Sequence, residues 1–384
     1  MIKRELEKVV KKLAKGFPGV VIQGPRQSGK TTLSKICFPK KAYVSFENPD
    51  IESFAKEDPR GFLDQYQEGA IFDEIQRVPD LIRYLQEIID NSKECGRYIL
   101  TGSSQLLLNE KISQSLAGRV GIVECLPFAM NEILSIKKNT SMGIEELIYK
   151  GGYPPLYDRN LDVKHWLLAY TAQYVEKDIR QLLNIQNHSL FHLFLKTCAA
   201  HTGQIIDATK FSNQIGIDAS TVKRWISILE SSYICYQVRP YFRNYNKRLV
   251  KKPKLYFYDT GLVCYLLGLQ SYHDILTHPF KGALFENWVI NEVCKFKLNQ
   301  GYKSETYFWR DNKGVEIDLV TEESDHVNFY EIKSGKTVAN DWFKHLNKFS
   351  GHGNLNLVYC GDKTMKRNNI NIVSYKDIKK FIKN

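Results

Sequence analysis

The segment QGPRQSGKTT, residues 23–32, combines residue types that bind phosphate. Gly24 and Gly29 are followed at once by Lys30 and Thr31, and such glycines let backbone N–H groups turn toward phosphate oxygens. The lysine can reach the outer phosphates of a nucleotide, and the threonine hydroxyl can ligate Mg²⁺. The pattern predicts a site for ATP and Mg²⁺ formed by Gly24, Pro25, Arg26, Gln27, Ser28, Gly29, Lys30, Thr31 and Thr32.

Two carboxylates, Asp73 and Glu74, end the apolar run Ala-Ile-Phe. Beside a phosphate-binding loop, the first would hold Mg²⁺ directly or through water, and the second would polarise the attacking water. The alternative is a pair of acids that caps a strand end. The loop earlier in the chain favours the catalytic interpretation.

Two further polar residues fit a nucleotide site less specifically. Ser103 follows the strand-like run YILTG and is predicted to sense the γ-phosphate, although a serine there can equally cap a helix. Arg119, in SLAGRV, can act as an arginine finger on the nucleotide of a neighbouring subunit, which would require a homo-oligomer. It can equally pair with a local acid.

Strand-like and helical segments alternate over residues 1–135. This alternation predicts a parallel sheet covered on both faces, with the ligand at the carboxyl ends of the strands. The expected strands are residues 20–23, 42–47, 70–74, 98–103 and 120–124.

The motifs GPRQSGKTT, IFDEIQRVPDL, LTGSSQ, SLAGRV and GGYP occur in this order. In this respect the chain resembles a prokaryotic family of AAA-type P-loop ATPases that carry a C-terminal endonuclease-like domain of uncertain function. The resemblance covers nearly the whole chain. It implies ATP binding and hydrolysis and a cytoplasmic role.

Residues 136–188 read as a helical linker or lid, and residues 189–258 as a winged-helix domain. The second segment has helical patterns around a turn with Gly216, followed by an alternating hairpin rich in basic residues, Lys254 among them. The alternatives are a rigid lid or a module that docks a protein. If the partner is DNA, the predicted contacts are Lys223, Arg224, Arg243, Lys247, Arg248, Lys251 and Lys252.

Residues 259–384 are predicted to form a small α/β domain. Period-two alternation in KGVEIDLV and NFYEIKSG places Asp318, Glu331 and Lys333 on one face of paired strands. Two carboxylates with a lysine can bind Mg²⁺, which acidifies a bound water for phosphodiester hydrolysis. A preceding helix offers a further acid, either Glu286 or Glu292.

The order Asp, then Glu-x-Lys, resembles the PD-(D/E)xK restriction-endonuclease fold, and Glu286 is the family-like choice for the helical acid. Ile317 stands where the family pattern has proline. Two alternatives are a solvent-facing hairpin with an Asp–Lys ion pair and a fold that binds DNA without cutting it.

The composition is that of a folded protein of two or three domains, with 384 residues and a formal net charge of +12. The positive charge favours an anionic partner such as DNA, although a basic solvated surface is the simpler alternative. Eight cysteines without a CxxC pair indicate a reducing cytoplasm, and no run is long enough to span a membrane. We therefore expect an ATP-driven DNA-binding or DNA-processing enzyme. The alternative is a nucleotide switch in signalling or defence that binds a protein partner, or DNA without cutting.

Overall fold

A computed structural model describes residues 2–92, 94–103, 115–136, 140–159, 161–179, 187–242, 252–303, 305–323 and 326–382. Within these ranges the chain forms two β-sheets joined by helices. No helix in the described ranges is long and apolar enough to cross a membrane.

The N-terminal sheet has five parallel strands in the order β2-β3-β4-β1-β5. Successive residues of β1 point to opposite faces: Val21 packs into one apolar core and Val20 and Ile22 into another. The predicted parallel sheet with two covered faces is thereby confirmed. The strands are β1 Gly19–Gln23, β2 Ala42–Ser45, β3 Ala70–Asp73, β4 Tyr98–Gly102 and β5 Val120–Glu124.

Among the residues that the structure describes, five α-helices accompany this sheet. The first packs against β1 and β5, and the second begins directly after the glycine-rich loop. They are α1 Glu7–Gly16, α2 Lys30–Cys37, α3 Pro49–Glu57, α4 Pro59–Asp64 and α5 Leu81–Asn91.

The described residues in the middle of the chain, 140–159 and 161–179, are mainly helical. Four helices precede a π-helical stretch at Thr171–Asp178. They are α6 Met130–Leu134, α7 Ile144–Lys150, α8 Pro155–Asp158 and α9 Val163–Tyr170.

Three helices and an antiparallel strand pair follow, over most of the segment predicted as a winged helix. Gly216 ends the second helix in the left-handed region at φ 79°, and the Asp218 carboxylate caps the third by accepting from Thr221 N–H. The elements are α10 His188–Ala200, α11 Ala208–Ile215, α12 Ala219–Ser231, β6 Cys235–Pro240 and β7 Lys254–Phe257.

The second sheet has eight strands in the order β12-β13-β11-β10-β9-β8-β6-β7. Because β6 pairs with β8, the hairpin predicted as a wing is part of the same sheet as the C-terminal strands. The sheet therefore crosses the predicted boundary between residues 258 and 259. The C-terminal strands are β8 Tyr307–Arg310, β9 Glu316–Glu323, β10 His326–Lys333, β11 Asn354–Tyr359, β12 Met365–Arg367 and β13 Ile370–Ser374.

Two helices of the C-terminal part, α13 Thr260–Leu266 and α14 Lys281–Asn299, contribute to a core that also takes in the helical middle. Leu284, Val289 and Val293 of α14 lie in this core with Phe128 and Leu156. The helix thus carries its acidic residues between the second sheet and the rest of the molecule.

Candidate functional site

The glycine-rich loop connects the carboxyl end of β1 to the start of α2. Gly24 has φ 151°, and a Cβ there would collide with the Cys125 carbonyl oxygen. Gly29 has φ 94° and immediately precedes the first helical residue. Both positions need glycine, so the loop conformation follows directly from the sequence.

Lys30 is buried, yet its ammonium contacts no carboxylate directly. It donates to the backbone carbonyls of Gly24 and Pro25 at 3.0 and 2.8 Å. Burial lowers the pKa of Lys30, while Glu74 and Asp73 at longer range oppose that shift. The loop thus holds a cation inside a curl of backbone, an arrangement that suits an anion such as phosphate.

Asp73 lies at the carboxyl end of β3 and accepts hydrogen bonds from three hydroxyl groups. Thr31 donates to its two oxygens at 3.1 and 3.0 Å, and Tyr43 donates at 2.7 Å. Thr101 is the third donor. Thr31 and Asp73, predicted to share a metal ion, are therefore side by side.

Glu74 has a left-handed backbone conformation, φ 58°, which turns its side chain away from the strand direction. Ser103 donates to Oε2 of Glu74 at 3.0 Å, and Gln76 donates to the same oxygen. The predicted base and the predicted γ-phosphate sensor are thus hydrogen-bonded to each other. Gln76 was not recognised from the sequence.

A cleft of about 840 Å³ opens above the loop, between the N-terminal sheet and the helical middle. Most of the predicted loop residues line it, together with Asp73 and Glu74. Sequence reasoning missed a further part of the lining. Its residues precede the first helix, follow β5, or lie in and just after the GGYP motif. These lining residues are Ile2, Arg4, Phe128, Pro154, Pro155, Asp158 and Arg159.

Arg4, which precedes the first helix, is hydrogen-bonded to the backbone of the glycine-rich loop. Its guanidinium donates to the Ser28 carbonyl at 2.8 Å and to the Leu126 carbonyl at 2.6 Å, and it pairs with Glu132 at 3.0 Å. The arginine is buried, so these contacts tie the N-terminal segment, the loop and α6 into one unit.

Arg119 lies away from the cleft of its own chain. Its Nε and Nη2 atoms bind the two oxygens of Asp90 at 2.5 and 2.9 Å, on an exposed surface. The local ion pair that the sequence left open is therefore present. The arginine-finger role stays a prediction about an assembly of several chains.

Four acids and two lysines form a second polar group, which we call the acidic cluster: Glu286, Glu316, Asp318, Glu331, Lys254 and Lys333. Strands β9 and β10 are antiparallel, and the next position beyond the Leu319–Tyr330 pair would set Asp318 opposite Glu331. Lys333 pairs with Glu331 at 2.6 Å, and the Ile332 N–H donates to Asp318 at 2.7 Å.

The helical acid at the cluster is Glu286. Glu292, the alternative, accepts from the Met130 N–H at 2.9 Å and pairs with Lys295, away from the cluster. The structure thus selects the family-like residue of the two. Glu286 itself accepts from Tyr256 at 2.5 Å.

Lys254 is one of the basic residues of the predicted hairpin, and the structure buries its side chain. The residue is 2% exposed and its ammonium lies 3.1 Å from Glu286 and 2.5 Å from Glu316. The Lys254 side chain points inward from β7, in which every residue is buried. Its ion-pair partner Glu286 lies on α14, 32 residues away, and this contact cannot be predicted from the local sequence.

Burial and mutual repulsion raise the pKa of three acids of the cluster, Glu286, Asp318 and Glu331. Burial, then Asp318, raise the pKa of Glu286 to about 7, and the same two causes raise that of Glu331 to about 7. Burial also raises the pKa of Asp318, against the effect of Lys254 and Lys333. Despite its burial, the pKa of Lys254 is raised by the surrounding carboxylates.

The donor set of the cluster meets only some requirements of a metal ion. In the described part of the chain, no group of three or more His, Cys, Asp or Glu side chains is arranged to hold a metal. However, Oε2 of Glu331 is buried without a hydrogen-bond partner, on a residue that is 4% exposed. Carboxylate oxygens suit Mg²⁺, which is often held by only one or two of them. Asp318 and Glu331 fit such a site.

Lys223 and Arg224 are exposed on α12, as the recognition-helix prediction requires. Lys252 is also exposed and pairs with Asp207 at 2.6 Å. The remaining predicted DNA contacts, Arg243, Lys247, Arg248 and Lys251, lie outside the described residues.

Three family models match successive parts of the chain. Residues 17–134 match a model described as an AAA domain. Residues 142–273 and 281–378 match two models described as domains of unknown function, DUF8612 and DUF4143.

The relatives found by sequence are uncharacterised proteins. One from Mycobacterium tuberculosis is 29% identical over 325 residues, which is 83% of this chain and 71% of the relative. One from Haemophilus influenzae is 22% identical, with 81% of each chain covered. One from Methanocaldococcus jannaschii is 23% identical, with 78% and 71% covered.

Among solved structures, a Walker-type ATPase of Pyrococcus abyssi aligns with a TM-score of 0.48 and 14% identity, over 69% of this chain and 96% of that one. AMPPCP-bound DnaA from Aquifex aeolicus aligns with a TM-score of 0.24 and 14% identity, over 59% and 85%. Scores this low add no argument. The AAA-domain match and the geometry of the loop support a P-loop ATPase in the N-terminal part of the chain.

Proposed function

We propose that the protein binds ATP with Mg²⁺ in the cleft above the glycine-rich loop and hydrolyses it. The observation that carries this proposal is the convergence of Lys30, Thr31, Asp73 and Glu74 on one 840 Å³ cleft. Mg²⁺, when bound, would supply charge neutralisation at the phosphates, with Thr31 and Asp73 as the residues that hold it.

The protein residues supply the remaining chemistry. Lys30, held inside the loop by two carbonyls, places its charge beside the outer phosphates. Glu74 orients the attacking water and accepts its proton, while Ser103 and Gln76 fix the position of the carboxylate. Ser103 thereby links the γ-phosphate position to the base.

Substitution of Glu74 by glutamine tests the base. We expect Glu74→Gln to bind fluorescent ATP with unchanged affinity and to release phosphate at least about 100-fold more slowly, because an amide cannot accept the proton. Glu47→Gln is the matched control, since this exposed acid lines the same cleft. Phosphate release by Glu74→Gln at the wild-type rate would exclude Glu74 as the base.

A second function, DNA binding with metal-dependent phosphodiester hydrolysis, is favoured by the acidic cluster. The specific observation is the buried, unpartnered Oε2 of Glu331 next to Asp318 and Lys333. Asp318 and Glu331 would hold Mg²⁺, which supplies an acidified water, and Lys333 would stabilise negative charge on the phosphate. The net charge of +12 favours the polyanionic substrate.

Cleavage is tested with Asp318→Asn, which keeps an oxygen acceptor for the Ile332 N–H. We expect loss of Mg²⁺- or Mn²⁺-dependent DNA cleavage and normal ATP hydrolysis, with Asp341→Asn, an exposed acid, as the control. Cleavage that persists in Asp318→Asn would place the nuclease activity elsewhere. ATP-dependent DNA or protein binding without cleavage would favour the nucleotide switch.

DNA binding through α12 is tested by its salt dependence. Replacing Lys223 and Arg224 by alanine should lower the slope of log K against log salt by about 0.9 for each phosphate that is no longer neutralised. Lys366 and Arg367, exposed on β12, form a matched control pair. An unchanged slope would exclude α12 from the interface.

A further inference from the structure

Lys254 lies among acids that the sequence analysis assigned to a metal ion. It is nearly inaccessible to solvent and forms ion pairs with Glu286 at 3.1 Å and Glu316 at 2.5 Å. A buried ammonium with two carboxylate partners is already neutralised, so it has no need of an external anion.

Glu286 is correspondingly engaged. Its Oε1 atom accepts from Lys254 and from the Tyr256 hydroxyl, at 3.1 and 2.5 Å. Neither donor can be shared with a metal ion on the same lone pairs. Glu331 differs from it: Oε1 pairs with Lys333 at 2.6 Å, while Oε2 is buried and has no hydrogen-bond partner among the residues that the structure describes.

We propose that Lys254 is the resident cation of Glu286, so that the acidic cluster takes a single divalent ion on Asp318 and Glu331 alone. Glu286 is then not a metal ligand, contrary to the expectation from the sequence. This inference rests on the proposed metal site.

The charge arrangement makes the proposal specific. Lys254 forms ion pairs with Glu286 and Glu316, and Lys333 forms one with Glu331. Lys254, Lys333 and the Arg310 guanidinium, which lies 3.3 Å from Glu316, oppose the four carboxylates, so one divalent ion already offsets the remaining negative charge. A second ion would have to displace Lys254, which is held between β7, α14 and β9.

The test is Mn²⁺ binding, measured by electron paramagnetic resonance on the nucleotide-free full chain. Asp318→Asn serves to subtract ions bound elsewhere. We expect one Mn²⁺ per chain at this site in the wild type. Lys254→Met should bind Mn²⁺ at least tenfold more tightly, because a nearby positive charge is removed and Glu286 becomes available as a third ligand.

The gain must depend on Glu286. The pair Lys254→Met/Glu286→Gln is charge-balanced and should return to within threefold of the wild-type affinity. Lys313→Met removes an exposed lysine three residues before Glu316 and should leave the Mn²⁺ affinity unchanged. If Lys254→Met does not fold without metal, the single variant Glu286→Gln tests the proposal. A Mn²⁺ affinity of Glu286→Gln within threefold of the wild-type value would support it.

Failure of the inference differs from failure of the metal site. A wild type that binds no Mn²⁺ sensitive to Asp318→Asn would overturn the metal site itself, and the inference with it. One bound ion combined with a tenfold or greater loss of affinity in Glu286→Gln would make Glu286 a ligand and overturn only the inference. Two ions at the wild-type cluster, or unchanged affinity in Lys254→Met, would also overturn it.

Discussion

Two buried lysines, Lys30 and Lys254, face opposite kinds of partner. Lys30 donates to two backbone carbonyls, whereas Lys254 forms ion pairs with two carboxylates. Burial therefore lowers the pKa of Lys30, and the carboxylates raise the pKa of Lys254 although it too is buried. A lysine with only neutral direct contacts suits an incoming anion, while a lysine already paired is part of the scaffold.

The acids of the nucleotide cleft and of the acidic cluster also differ in the charge of their direct neighbours. Asp73 is surrounded by neutral hydroxyl donors from Thr31, Tyr43 and Thr101. Asp318 and Glu331 instead lie close enough to repel each other. The first region is built to receive phosphate together with its counter-ion, and the second accumulates negative charge that a cation would relieve.

The largest expected effect is a loss of folding stability on substitution of Lys254, which we do not expect for Lys30. In the presence of a chelator, Lys254→Met should lower the free energy of unfolding by about 3 kcal/mol, the lower end of the range for breaking a buried ion pair, because two partly exposed carboxylates lose a buried cation. Urea unfolding measures this change, with Lys252→Met as the exposed control. Unchanged stability would show that Lys254 is not needed as a counter-ion. ATP affinity should be unchanged, because Lys254 lies outside the cleft.

Lys30→Ala should show the reverse behaviour. We expect ATP affinity to fall at least about 100-fold, because the outer phosphates lose their cation, with little change in melting temperature. Fluorescent-nucleotide titration measures the affinity, and Lys40→Ala, an exposed lysine just beyond α2, is the control. Unchanged affinity would remove the loop from the nucleotide site.

The pKa of Glu331 gives a smaller, pH-dependent effect. Its value of about 7 lies above the ordinary 4.5, so the folded state binds the proton more tightly than the unfolded state does. Stability should therefore fall as the pH rises from about 4.5 to 7 and stay reduced above that range.

Glu331→Gln should remove this penalty. In metal-free buffer we expect it to gain about 2 kcal/mol over wild type at pH 8 and nothing at pH 4.5, as measured by urea unfolding. Glu323→Gln, on the neighbouring strand β9, is the control. A gain that does not vary with pH would mean that Glu331 is ionised throughout this range.

The sequence predicted the parts of both regions whose positions follow from local rules. The spacing of Gly24, Gly29 and Lys30 sets the loop, and period-two alternation places Asp318 beside Glu331. The alternation of strand-like and helical segments also predicts the five N-terminal strands. Each of these strands is a short apolar run because the sheet is covered on both faces.

Long-range packing determines what the sequence missed. Lys254 reaches Glu286 across 32 residues, and Arg4 reaches Glu132 across 128. Neither pair has a local pattern, and lysine and arginine are usually solvent-exposed, so the local sequence gives no sign that Lys254 and Arg4 are buried. The choice between Glu286 and Glu292 likewise depended on the rotation of α14 against its neighbours, which the helical pattern alone left open.

The smallest expected effect concerns Arg119, which lies outside both regions. Its ion pair with Asp90 is exposed, and such pairs contribute little to stability. We therefore expect Arg119→Ala to leave the melting temperature unchanged, and also to leave ATP hydrolysis unchanged at concentrations where the chain is a monomer. Phosphate release should be measured over a wide range of protein concentration. A defect of Arg119→Ala in phosphate release that grows with protein concentration would show that the arginine leaves Asp90 to act on a neighbouring subunit. The nucleotide site would then include a group supplied by a second chain, in addition to the residues of its own chain.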